Sequence, residues 1–176
     1  LSFDSGMIGF PLRLLAREVY DKVVKKINKN KVALITGEEK IIPSDAQYYL
    51  CTVESMPIDK KLDFVGIDEI QMCNDHERGH IFTERLLYLR GQKLTMFMGS
   101  NTVKSIISKL DEDIEFVNKG RLSKLRYSGH KKISRIERKS AIIAFSAEEV
   151  YAIAELIRRQ KLSLIHISEP TRPLYI

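Results

Sequence analysis

Two adjacent carboxylates, Asp68 and Glu69, close a short apolar run, Phe64-Val65-Gly66-Ile67, and are followed by Ile70-Gln71-Met72. A strand buried on both faces reads as continuous apolar residues, and open α/β sheets bind ligands beyond the carboxyl ends of such strands. Of two consecutive carboxylates placed there, one can hold the Mg²⁺ of a bound nucleotide while its neighbour orients the attacking water. The same pair also reads as an acidic turn after an ordinary strand.

A second constellation follows at once. His76-Glu77-Arg78-Gly79-His80 matches H-E-x-x-H, in which two histidines on one helix face bind zinc and the glutamate acts as base. Asp75 before it and Arg78 within it put charges where a buried metal helix carries neutral residues, and Gly79 weakens the helix at its ligand-bearing turn. No later segment offers an obvious third ligand. The alternative is a solvated helix start, with Asp75 as N-cap.

These residues need a scaffold, and 176 residues can build one good core, or one domain and part of a second. Hydrophobic residues at 44% and charged residues at 30% describe a globular chain, and no apolar stretch approaches a membrane span. Cys51 and Cys73 are too far apart for a Cys-x-x-Cys site and read as reduced core thiols. The net charge of +6 is concentrated: residues 119–139 hold nine Lys or Arg against Glu137 alone, a local balance of +8 that leaves −2 elsewhere. Such a stretch suits a polyanion, although charge runs are more often solvated linkers.

Apolar runs at residues 7–10, 31–35, 48–53, 63–67 and 94–98 predict strands. Pro11 is expected to open a helix in its first turn, carrying Leu14, Leu15, Val19 and Val23 on one face. Further helices are expected at residues 76–89 and 102–110, with residues 115–117 closing the first unit. Strands alternating with helices at this spacing imply a parallel α/β sheet, so every polar cluster that follows a strand shares one edge. Residues 140–145 read as a new buried strand and 147–159 as an amphipathic helix, the opening of a second α/β unit. From about residue 162 the sequence resembles translated sequencing-adapter DNA, and 162–176 is expected to be a non-native tail. Leu1 stands in place of Met and leads directly into a strand, so the chain reads as starting inside a longer frame.

An ordered set of short motifs carries a resemblance. Gly9-Phe10-Pro11-Leu12-Arg13-Leu14-Leu15-Ala16-Arg17-Glu18, Thr36-Gly37-Glu38-Glu39, Cys51-Thr52-Val53-Glu54, Asp68-Glu69-Ile70-Gln71-Met72, Asp75 with Arg78-Gly79, and Ala144-Phe145-Ser146 are similar to the mitochondrial degradosome RNA helicase family and its bacterial relatives, of the DExH type in superfamily 2. The resemblance covers about residues 5–161. It implies a RecA-like domain over 1–118 that lacks its phosphate-loop strand, a basic interdomain segment over 119–139, and the first strand and helix of a second RecA-like domain over 140–161. It also makes the zinc motif incidental, because the family pattern there is Asp75 with Arg78-Gly79.

By the same resemblance the cofactors are ATP and Mg²⁺: Asp68 would hold the metal, Glu69 would activate the hydrolytic water, and Gln71 would sense the nucleotide. Pro11, Leu12 and Arg13 match a segment that contacts the nucleic-acid backbone. Thr36-Gly37 and Thr52-Val53-Glu54 match further strand-tracking motifs. Gly99-Ser100 occupies the coupling motif, with serine where the family usually has another residue. Hydroxyls, helix-start N–H groups and an arginine can grip phosphates without reading bases. The implied partners are single-stranded or partly duplex RNA, or DNA, and an exoribonuclease, with no membrane. The implied compartment is the bacterial cytoplasm or, alternatively, the mitochondrial matrix.

No G-x-x-x-x-G-K-[ST] sequence is present, and its place in the family pattern falls before Leu1; the motifs expected after Lys161, the arginine finger among them, are also missing. The sequence therefore reads as a helicase piece that is itself catalytically silent. The rivals are a nucleotide-independent nucleic-acid-binding module and an HExxH zinc hydrolase.

Overall fold

The computed structural model describes residues 2–110, 114–120, 122–127, 129–137 and 140–159. The expected tail at 162–176 lies outside them. The chain divides into two compact units, Leu1–Phe116 and Val117–Ile176.

The first unit is built on a six-stranded sheet. The strands are β1 (Gly6–Phe10), β2 (Val32–Ile35), β3 (Lys40–Ile41), β4 (Tyr48–Thr52), β5 (Phe64–Ile67) and β6 (Leu94–Phe97), in the spatial order β3-β2-β4-β1-β5-β6. All neighbours pair in parallel except β2 and β3. Every residue of β2 is buried, as its unbroken Val-Ala-Leu-Ile sequence requires of a strand covered on both sides.

Alternation then sorts those residues between two layers. Val32, Leu34 and Leu50 pack with Phe10, and with Ala16 and Tyr20 of α1 (Arg13–Val23). Met7, Ala33, Ile35, Cys51, Val65 and Ile67 face the other way, toward Phe82 and Leu86 of α2 (Gly79–Tyr88) and Ile107 of α3 (Lys104–Ile107). Burial pushes the Cys51 thiol up to about 12, which keeps it an inert core group.

Several boundaries differ from expectation for physical reasons. Pro11 lies outside α1 rather than in its first turn; Leu12, in extended conformation, is the N-cap. β3 was not expected: Thr36 Oγ1 accepts from the Glu39 N–H at 3.0 Å and the Thr36 N–H donates to the Glu39 carbonyl, folding the acidic loop into a hairpin. Residues 76–78 are a turn and the helix begins at Gly79; Asp75 Oδ1 accepts from the N–H groups of Glu77 and Arg78 at 2.9 and 2.7 Å, the contacts of an N-cap side chain, on the turn that leads into the helix. The expected helix at 102–110 is a 3-10 turn, Asn101–Val103, followed by the short α3. Residues 115–117 are irregular.

In the second unit, the strand expected at 140–145 is not formed. Ile143 and Phe145 are exposed, and no strand among the described residues of this unit is available to pair with it. An unpaired strand gains neither ladder hydrogen bonds nor a covered face. The helix α4 (Ala147–Arg159) does form, with the expected bounds. Ser146 Oγ accepts from the Glu149 N–H while Glu149 Oε2 accepts from the Phe145 N–H, both at 3.1 Å, a reciprocal cap on its first turn.

Candidate functional site

Because β1, β2, β4, β5 and β6 run parallel, the segments that leave their carboxyl ends emerge along one edge of the sheet. Pro11, Thr36, Thr52, Asp68 and Gly99 each stand within two residues of such an end. Three groups of contacts tie these segments together.

The first is acidic. The Asp68 N–H donates to the Gly9 carbonyl at 2.9 Å, extending the β1–β5 ladder by one bond. Its Oδ1 accepts from the Glu69 N–H at 3.0 Å. Burial pushes the Asp68 carboxyl above its ordinary range; the Glu69 N–H draws it back and the Glu69 charge adds to the rise. Glu69 has φ 53° and ψ 46°, and is the one non-glycine residue with positive φ among the described residues. The left-handed region is disfavoured for a residue with a Cβ, and such outliers cluster where geometry serves function.

The second group joins β5 to β6. Gln71 Nε2 donates to Glu69 Oε2, and Gln71 Oε1 accepts from the Ser100 N–H at 3.0 Å. The Ile70 N–H donates to the Met98 carbonyl at 2.9 Å. Glycine at position 99 leaves room for this bridge: a Cβ there would stand 3.1 Å from the Ile70 nitrogen and would displace the Gln71 amide oxygen.

The third group centres on Arg78, which donates to Glu54 Oε1 at 2.6 Å and to the Pro11 carbonyl at 2.5 Å. It joins the exits of β1 and β4. The sequence assigns Arg78 no such role, because no spacing rule reveals a partner 67 residues away.

The expected strand-contacting residues fall into two sets. Leu12 and Gly37 are exposed, and Arg13 reaches solvent while pairing with Glu38. Thr36, Thr52 and Val53 are buried. The hydroxyl of Thr36 is engaged in its hairpin, that of Thr52 donates to Ser55 Oγ at 3.1 Å, and the Val53 side chain belongs to the core. Those three positions thus present backbone, not side chains, at the edge.

The zinc arrangement is not assembled. His76 lies in the turn and His80 is the second residue of α2, so the two do not share a helix face. Among the described residues, no three His, Cys, Asp or Glu side chains gather as a metal site.

The model of the DEXQ-box helicase domain of Suv3 matches residues 1–118, and the D-E-X-Q positions are Asp68-Glu69-Ile70-Gln71. The chain belongs to this family. Similar relatives include the ATP-dependent RNA helicase SUV3, mitochondrial, of Saccharomyces cerevisiae, 35% identical over 185 residues that take in 96% of this chain and 25% of that protein. The DExH-box ATP-dependent RNA helicase DExH16, mitochondrial, of Arabidopsis thaliana is 33% identical over 166 residues, 89% of this chain and 28% of that one. The ATP-dependent RNA helicase SUPV3L1, mitochondrial, of Gallus gallus is 29% identical over 174 residues, 92% and 21%. The chain spans about a quarter of the length of the curated relatives it matches. In the DEXQ-box family, then, the motif that names the family is the segment that here bears the left-handed Glu69 and the Gln71 bridge.

Proposed function

We propose that this chain forms ATPase and strand-contacting parts of an ATP-dependent RNA helicase. The observation that carries the reading is Glu69, held in a left-handed conformation at the carboxyl edge and bonded through Gln71 to the segment after β6. A carboxylate fixed in this way is suited to orienting a water for attack on a γ-phosphate. Asp68 fits Mg²⁺: one hard oxygen is engaged by a backbone N–H and the other is available, in a half-buried position. The metal, when bound with nucleotide, supplies charge neutralisation at the phosphates. Gln71 links the nucleotide side to the Ser100 segment, and Arg13, Leu12 and Gly37 offer phosphate contacts along the same edge.

The substrate is RNA, as in the names of the relatives, with DNA as the alternative. Those names also favour a mitochondrial setting over a bacterial cytoplasm. No helix among the described residues is long and apolar enough to cross a membrane. An exoribonuclease partner belongs to the same reading, and co-purification from a tagged source tests it.

The decisive experiment exchanges residues 6–116 into the matching stretch of the full-length Saccharomyces cerevisiae relative. Glu69→Gln in that chimera should retain nucleotide binding and lose RNA-stimulated turnover on the order of 10²–10⁴-fold. Turnover at the unsubstituted rate, or an unsubstituted chimera that RNA does not stimulate, would overturn the reading. Unchanged RNA affinity with and without nucleotide would favour a nucleotide-independent binding module.

A further inference from the structure

The Arg78 guanidinium sits where three segments distant in sequence meet. Nε donates to Glu54 Oε1 at 2.6 Å, and Nη2 lies 2.5 Å from the same oxygen. Nη2 also donates to the Pro11 carbonyl at 2.5 Å. Pro11 and Glu54 follow adjacent strands, whose last paired residues are Phe10 and Thr52. The arginine therefore closes a bridge across two neighbouring exits of the sheet.

Its own position is fixed from below and behind. The guanidinium carbon is 5.6 Å from the centroid of the fully buried Phe82 ring. Its backbone N–H is held by Asp75 Oδ1 at 2.7 Å. Seven residues further along, Arg85 Nε reaches the Val53 carbonyl at 3.4 Å, so two arginines of one helix region hold the segment after β4. Arg78 and Glu54 are each only one-third exposed, at the rim rather than in the core. A guanidinium directs several N–H groups from one plane, which a lysine ammonium at the same place cannot reproduce.

We propose that Arg78 is a positioning residue, which holds the Pro11-Leu12-Arg13 and Thr52-Val53-Glu54 segments at a fixed spacing so that one nucleic-acid backbone can engage both. This rests on the reading of those segments as strand-contacting. Arg78 acts through Arg13 and the backbone beside it, without itself touching the strand. The energetic role is preorganisation: a loop already held in its bound geometry loses less entropy on binding.

The test uses the 176-residue chain and labelled oligouridylate RNA. Arg78→Lys should weaken binding about five- to tenfold while leaving the thermal midpoint nearly unchanged, and Arg78→Lys combined with Arg13→Ala should be clearly less than multiplicative. In the free chain, ¹⁵N order parameters at Leu12, Arg13 and Ser55 should fall in Arg78→Lys, while those in the middle of α1 stay constant. Multiplicative losses, or unchanged order parameters, would overturn the proposal. Absence of RNA binding by the unsubstituted chain would overturn the nucleic-acid reading of the segments and this role with it; the order parameters separate that failure from a failure of the tether.

Discussion

The Gln71 amide oxygen accepts a 3.0 Å hydrogen bond from the Ser100 N–H, fastening the segment after β5 to the segment after β6. The same amide donates to Glu69, so a single planar group spans both. Gln71→Glu keeps the shape, removes the donor and sets a second carboxylate against Glu69. A hydrogen bond to a charged group contributes about 1.5–3 kcal/mol, and solvent exposure favours the low end. RNA-stimulated ATP turnover of the chimera should thus fall roughly tenfold in a steady-state assay; full activity would show that the bridge has no catalytic consequence.

Glu69 carries a backbone cost that its side chain does not explain. With φ at 53°, glycine relieves the Cβ clash and alanine does not. Chemical denaturation should find Glu69→Gly more stable than Glu69→Ala by about 1 kcal/mol, with both inactive in the chimera. Equal stabilities would remove the argument for conformational strain at this position.

Asp68 gives a pH dependence of defined sign. Burial raises its folded-state pKa above the unfolded value, with the Glu69 charge acting the same way against the Glu69 N–H. The native state therefore binds this proton more tightly, and the stabilisation is present at low pH and lost as pH rises through the raised value. Asp68→Asn, which still offers an acceptor to the Glu69 N–H, should raise the thermal midpoint at pH 7. That gain should vanish below about pH 4, the unfolded range of aspartate. A gain that is the same at both pH values would contradict the assignment.

Arg13 is already paired in the free chain, with the largely exposed Glu38. A phosphate that takes Arg13 must break that pair. An exposed ion pair contributes about 0.2–1 kcal/mol, so Glu38→Gln should tighten oligouridylate binding by up to about fivefold. Anisotropy titrations at two salt concentrations check this, and weaker binding would show that Glu38 assists rather than competes.

The buried parallel strands β1, β2, β4 and β5 were legible because strands covered on both sides are written as largely apolar runs, and α4 because its apolar face repeats cleanly up to Arg159. The placement of Asp68 and Glu69 at a strand end followed from the same runs. What escaped were features set by single side chains or by distant partners. Thr36 folds a two-residue hairpin strand with no periodicity to announce it. Gly79 is dictated by the Cys73 carbonyl, which a Cβ would approach to 2.5 Å. The left-handed turn at Glu69 has no signature in a Glu. Residues 140–145 have strand composition, yet a strand is a property of a pair.

The two ends of the sheet are unequal. β3 offers two residues, one of them Lys40, whereas β6 presents Leu-Thr-Met-Phe with Leu94 and Met96 exposed and, among the described residues, pairs on one side only. An uncharged strand that pairs on one side only among the described residues is a template for another extended chain, while a lysine-bearing stub is not. In concentrated solution the molecule is thus polarised in its tendency to associate, and a charge placed at Met96 would be the economical route to a well-behaved sample.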